Sequence, residues 1–138
     1  MSDLFDLTGK VAVVTGASSG LGVQFSKALA KQGADVAVVA RRVEKLEEVK
    51  KEIEALGVKC LAVKCDVSNV DEIKAAVAKI NDYFGTIDIL VNNAGIAMAE
   101  PAEKQSTDTW ETMMSVNLNG TYYFAREVGK IMVEKKYG

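Results

Sequence analysis

A chain of 138 residues, 49% hydrophobic and 26% charged, reads as one soluble globular domain, long enough to bury about two thirds of its unfolded surface. Its net charge of −2 gives no footprint for nucleic acid or an anionic membrane, and the lack of histidine excludes a catalytic triad or zinc site built on imidazole. No stretch is long and apolar enough to span a membrane, and the acidic lead has no signal-peptide core, so the expectation is a reduced, cytoplasmic protein with no metal.

After a polar lead carrying Leu4, Phe5 and Leu7, the β-branched run Val11 to Thr15 predicts a first strand. The turn Thr15-Gly16-Ala17-Ser18-Ser19-Gly20-Leu21-Gly22 then opens a helix from Gly20 to Gln32, which Gly33 caps. Asp35 to Ala40 has the unbroken small and β-branched pattern of a strand covered on both faces. From Glu44 to Leu56 the spacing places Leu46, Val49, Ile53 and Leu56 on one helical face and leaves the charges on a solvated one. A third strand runs from Lys59 to Lys64, with Cys60 and Cys65 at its two ends, too far apart in an extended chain to bridge. Ser68, with Asp71 three residues on, resembles a helix-starting cap, and Ile73, Val77, Ile80 and Phe84 mark the buried stripe that follows. Ile87 to Val91 predicts the fourth strand, and the single proline, Pro101, falls in the loop after it. Thr107 to Lys136 reads as helix through Trp110, Met113, Met114, Asn117, Thr121 and Phe124, although Asn119-Gly120 is ordinarily a turn signal.

Strands alternating with helices imply a parallel sheet with right-handed crossovers, and ligands in such sheets bind beyond the carboxyl ends of the strands. Four markers fall at four successive strand ends: the glycine turn, Arg41-Arg42, Asp66-Val67, and Asn92-Asn93-Ala94-Gly95. Together they would line one crevice. In the glycine turn, Gly16 supplies a tight bend, Gly20 allows a ligand close to the main chain, and Gly22 allows the helix to pack on the strand. A helix N-terminus with unpaired N–H groups suits a pyrophosphate, so the turn predicts a dinucleotide site.

These residues resemble the short-chain dehydrogenases/reductases over the whole chain. The glycine turn is similar to that family's TGxxxGxG, Asn92 to Gly95 to its NNAG, and Asn117 within Val116-Asn117-Leu118-Asn119-Gly120 to its helix asparagine. The resemblance implies an α/β, Rossmann-type doubly wound sheet of strand order 3-2-1-4. Residues 1–138 would form a single NAD(P)-binding domain that stops before a fifth strand. It implies cofactor contacts from Gly16, Ser18, Ser19, Gly20, Leu21, Gly22, Asp66, Val67, Asn93, Ala94, Gly95 and Val116, with Asp66 accepting from the adenine amino group. Asn92 is expected to tie neighbouring strands. Asn117 is the catalytic residue implied, holding a water in a proton relay on a long, bent helix, and the same helix implies a homo-oligomer, dimer or tetramer, in a full-length form.

Cofactor choice turns on the end of the second strand. Ala40 stands where an acidic residue would accept from both ribose hydroxyls of NAD, and Arg41 and Arg42 follow. Guanidinium groups suit bidentate contact with a 2′-phosphate, so NADP is expected, with NAD as the alternative and solvated helix-start arginines as the plain reading. The family often has a basic residue where this chain has Ser19.

Hydride transfer to a ketone leaves an alkoxide that needs a proton, which a tyrosine with pKa near 10 delivers poorly unaided. The family uses a Tyr-x-x-x-Lys pair and a serine, and neither the pair nor the strand that carries that serine occurs in these residues; Tyr122 with Arg126 has the spacing but carries arginine on the wrong helix. The expectation is the NADP(H)-binding portion of an enzyme interconverting small-molecule alcohols and ketones, inactive as this chain alone. The other readings are a non-catalytic dinucleotide-binding module and a piece completed by a partner polypeptide.

Overall fold

A computed structural model describes residues 3–138 of the chain, so the first two residues of the polar lead lie outside the described residues. Four parallel strands, β1 (Val11–Thr15), β2 (Asp35–Ala40), β3 (Cys60–Lys64) and β4 (Ile89–Val91), form one sheet of order β3-β2-β1-β4. The order and the alternation with helices are those expected of an α/β doubly wound sheet. β1 is the hinge of the topology, because the chain leaves β3 at one side and re-enters as β4 on the other. Its register runs Val11 beside Asp35 on one flank and Ala12 beside Ile89 on the other.

Strand periodicity divides the core into two layers. Val14, Val36 and Val38 meet Leu46, Val49 and Ile53, whereas Val13, Ala37 and Val39 meet Ile73, Ile80, Phe124 and Val128. The first layer therefore holds helices α1 (Gly20–Lys31) and α2 (Val43–Glu54); the second holds α3 (Val70–Phe84) and the long C-terminal helix. Burial on both faces is why β1 and β2 read as continuous apolar runs.

Three details differ from the sequence reading. Leu56 lies beyond the end of α2, in a turn closed by Gly57, and is exposed rather than part of the buried stripe. The cap of α3 is Asn69, not Ser68: the Asn69 side-chain oxygen accepts from the N–H groups of Asp71 and Glu72, at 3.0 and 3.1 Å. β4 begins at Ile89; Asp88 N–H still donates to Val11 C=O, but it is the Asp88 carboxylate that accepts from Val11 N–H.

The C-terminal helix is continuous and changes its winding. α4 (Thr107–Met114) passes through a π-helical stretch, Ser115–Gly120, into α5 (Thr121–Lys135). Gly120 keeps ordinary helical angles, and a Cβ there would stand 2.6 Å from the Val67 carbonyl oxygen. Its glycine therefore serves close passage of the helix over the loop after β3, which is why the turn signal failed. Among the described residues no helix is long and apolar enough to cross a membrane.

Candidate functional site

The four strand-end turns converge on one crevice of about 370 Å³. Its floor is the β1–α1 turn. Gly16 and Gly20 take positive φ angles of 63° and 58°, where a side chain would be strained. At Gly22 the requirement is space: a Cβ would lie 2.2 Å from the Gly16 carbonyl oxygen. Thus α1 starts pressed against the turn that precedes it, with Ser18, Ser19 and Leu21 on the crevice wall and Gly20 and Gly22 shaping it from behind.

The β1 and β4 ends are knitted together beneath this floor. Thr15, almost fully buried, accepts through its hydroxyl from the N–H groups of Asn93 and Ala94, both at 3.0 Å. The Asn93 side-chain amide donates to the carbonyls of Thr15 and Gly16, at 3.1 and 3.3 Å. Asn93 thus performs the strand-tying expected of Asn92, whose own amide donates to the Thr121 carbonyl on the long helix. The two neighbouring amides thus point apart, Asn93 to the end of β1 and Asn92 to the long helix. Asn93, Ala94 and Gly95 all line the crevice.

The π-helical stretch brings Val116 onto the wall and Asn117 just behind it. Both ends of the Asn117 amide engage one residue of the loop after β4: its oxygen accepts from Ile96 N–H and its nitrogen donates to Ile96 C=O, each at 2.8 Å. A Cβ on Gly95 would come within 3.3 Å of that amide oxygen, so the small residue leaves the clamp undisturbed.

Opposite lies the polar end. Arg41 and Arg42 are exposed at the head of α2, and the Arg42 guanidinium donates to the Ser18 hydroxyl at 3.4 Å. Burial would raise the Asp66 carboxyl, but two hydrogen bonds from Ser68, at 2.9 and 2.7 Å, and the nearby Arg41 charge outweigh it and hold the group below its ordinary value. Asp66 is therefore an acceptor at neutral pH. Val67 stands beside it on the wall.

Two lining residues escaped the sequence reading. Cys65 precedes Asp66 and Ile96 follows Gly95, so adjacency to a marker was the only available signal. Burial pushes the thiols of Cys60 and Cys65 up to about 12, leaving both neutral and free. Tyr122 and Arg126 do not line the crevice; Arg126 is paired with Glu127 at 3.0 Å and lies over the rings of Tyr122 and Tyr123.

The cradle fits a dinucleotide by its own construction, with Gly16 and Gly22 where side chains would collide and with Arg41, Arg42 and the Asp66 carboxylate on its wall. Comparison with known proteins agrees. Residues 10–138 match the sequence pattern described as short chain dehydrogenase. Over 136 residues the chain is 39% identical to gluconate 5-dehydrogenase of Gluconobacter oxydans, covering 99% of this chain and 53% of that protein. A metagenomic short-chain oxidoreductase in complex with NADP superposes with a TM-score of 0.91 at 38% identity, covering 99% of this chain and 61% of that one. NAD⁺-bound xylitol dehydrogenase superposes with a TM-score of 0.93 at 29% identity, covering 96% and 51% respectively. The chain spans about half the length of the curated relatives it matches.

Proposed function

The chain belongs to the short-chain dehydrogenase family, and from that premise we propose that it is the NADP(H)-binding portion of an oxidoreductase interconverting a small-molecule alcohol and ketone. The observation that carries the reading is the convergence of four strand-end turns on one crevice whose floor admits only glycine at Gly22. Gly16, Ser18, Ser19, Gly20, Leu21 and Gly22 would hold the pyrophosphate, using the N–H groups at the head of α1. Asp66 and Val67 would receive the adenine, and Asn93, Ala94, Gly95 and Val116 the nicotinamide ribose. When bound, such a cofactor supplies or accepts the hydride.

Arg41 and Arg42 favour NADP over NAD, because no carboxylate among the described residues is ion-paired with either and Ala40 offers none. One neighbouring structure carries NADP and another NAD⁺, so the choice rests on these side chains. Asn117 is the residue proposed for the proton relay. Its two bonds to Ile96 leave one amide hydrogen and one oxygen lone pair for a water. Lacking a Tyr-x-x-x-Lys pair, residues 1–138 alone would bind without turning over. Exposed Trp110, Leu118, Tyr122 and Val133 on the long helix support a homo-oligomer in a full-length form.

Titration of the 138-residue chain with NADPH and NADH, followed by nicotinamide fluorescence, tests the reading. The expected result is saturable binding of both, tighter for NADPH, with no reduction of ketones. Failure of the folded chain to bind either dinucleotide would overturn it, and catalytic ketone reduction by the chain alone would overturn the inactive assignment.

A further inference from the structure

Hydrogen bonds close a ring between the loop after β4 and the widened turn of the long helix. The Asn92 side-chain amide donates to the Thr121 carbonyl at 3.2 Å, and the Thr121 hydroxyl donates to the Asn117 carbonyl at 3.0 Å. The Asn117 amide then returns to the loop beyond Asn92, through its two 2.8 Å bonds with Ile96. A hydroxyl that bonds back to the carbonyl one turn earlier often bends a helix, but it need not widen one. Ser26 bonds the Gly22 carbonyl in the same way, at 2.8 Å, and α1 stays regular. Thr121 differs because its own carbonyl is also taken, by an exposed side chain of the loop; among the described residues no side chain donates to the Ser26 carbonyl.

We infer that Thr121 is a positioning residue for Asn117: held by Asn92 on one side and gripping the Asn117 backbone on the other, it fixes the widened turn so that the Asn117 amide meets Ile96. This rests on the role proposed above for Asn117 and adds to it the residue that sets its geometry. A clamp of two hydrogen bonds needs both the plane of the amide and its distance to be right, so it depends on a turn that does not slip. Ile96 and Val116 both line the crevice, so a slip would move the wall together with Asn117. Asn92, which does not line the crevice, acts on it through Thr121.

The test is amide hydrogen exchange and side-chain amide NMR on the 138-residue chain and its variants Thr121→Val, Thr121→Ser, Asn92→Ala and the Asn92→Ala/Thr121→Val double, each confirmed folded by its thermal melt. In Thr121→Val the Ile96 N–H is expected to exchange about fivefold faster, the worth of one modest hydrogen bond, and the Asn117 amide signals to move toward those of a solvated asparagine. Asn93 N–H, held by Thr15 outside the ring, should exchange less than about twofold faster, whereas a merely destabilised fold would speed both sites equally. Thr121→Ser, which keeps the hydroxyl, should restore the parent values. Asn92→Ala, made at an exposed side chain, should act in the same direction, and the double variant should lose less than the product of the single effects. Equal acceleration at Ile96 and Asn93, no rescue by Thr121→Ser, or an undiminished product in the double variant would overturn the inference and leave the role of Asn117 standing. Excess NADPH should shift the Asn117 amide signals of the parent chain; if they stay in place, the assignment of Asn117 to the cofactor site falls, and this inference with it.

Discussion

The two ends of the β1–β4 pair are finished in opposite ways. At the amino end, the buried carboxylate of Asp88 accepts from Val11 N–H through one oxygen and from Lys135 and Thr86 through the other. Backbone reinforces it, since Asp88 N–H donates to Val11 C=O at 2.9 Å. At the carboxyl end, Thr15 and Asn93 tie the same strands from below and leave the backbone of the glycine turn facing a crevice. One end is saturated; the other is braced but open. The difference teaches how a small sheet supports a ligand site: donors and acceptors are paired off where stability is needed and held available where binding is.

The comparison breaks first at Gly22. Gly22→Ala would drive a methyl into the Gly16 carbonyl, 2.2 Å away, and neither backbone segment can yield without moving the floor of the crevice. The expected cost is about 3 kcal/mol of stability, by overpacking against backbone, together with loss of dinucleotide binding. Chemical denaturation and nucleotide titration measure the two effects. Retained binding would show that the turn is not the cradle.

The amino end should behave in the reverse manner. Asp88→Asn removes the charge that answers Lys135 in a largely buried setting, with an expected cost of roughly 2 kcal/mol at neutral pH. Binding by the molecules that remain folded should be unchanged. Burial would raise the Asp88 carboxyl, but the hydrogen bond from Lys135, that from Val11 and the charge of Lys135 prevail, and the group is held below its ordinary 3.8. A folded value below the unfolded one means that its contribution is complete above the unfolded value and fades as pH falls through the folded one. The parent and Asp88→Asn should therefore converge in stability below about pH 4. A gap that persists undiminished in acid would assign the effect to packing rather than charge.

What could be read in advance follows the same division. The buried runs of β1 and β2 and the face Leu46, Val49, Ile53 were legible, because apolar periodicity records which face is covered. The sequence also named most of the residues that the structure brings to the crevice, because turns at strand ends carry short-range signals in glycine, arginine and asparagine. Three kinds of information were not legible. Adjacent asparagines do not reveal which one faces the neighbouring strand; a glycine chosen for close helix passage looks like a turn; and Lys135 gives no sign that it meets Asp88, 47 residues earlier. Each depends on contacts distant in sequence.

The smallest expected effect separates two neighbours that the sequence confused. Asn69 caps α3 through its side-chain oxygen, so Asn69→Ala should cost about 1 kcal/mol and leave dinucleotide affinity alone. Ser68 instead donates twice to Asp66, a crevice residue. Ser68→Ala removes the hydroxyl donor while the backbone donor stays, so it should cost less stability than the loss of the cap. Its signature lies elsewhere: the Asp66 carboxyl should titrate at a higher pH, read by carboxyl-carbon NMR, because one group favouring its charged form is gone. If Ser68→Ala destabilised the chain more than Asn69→Ala and left Asp66 unmoved, Ser68 would be the cap after all, and the turn after β3 would belong to the scaffold rather than to the site.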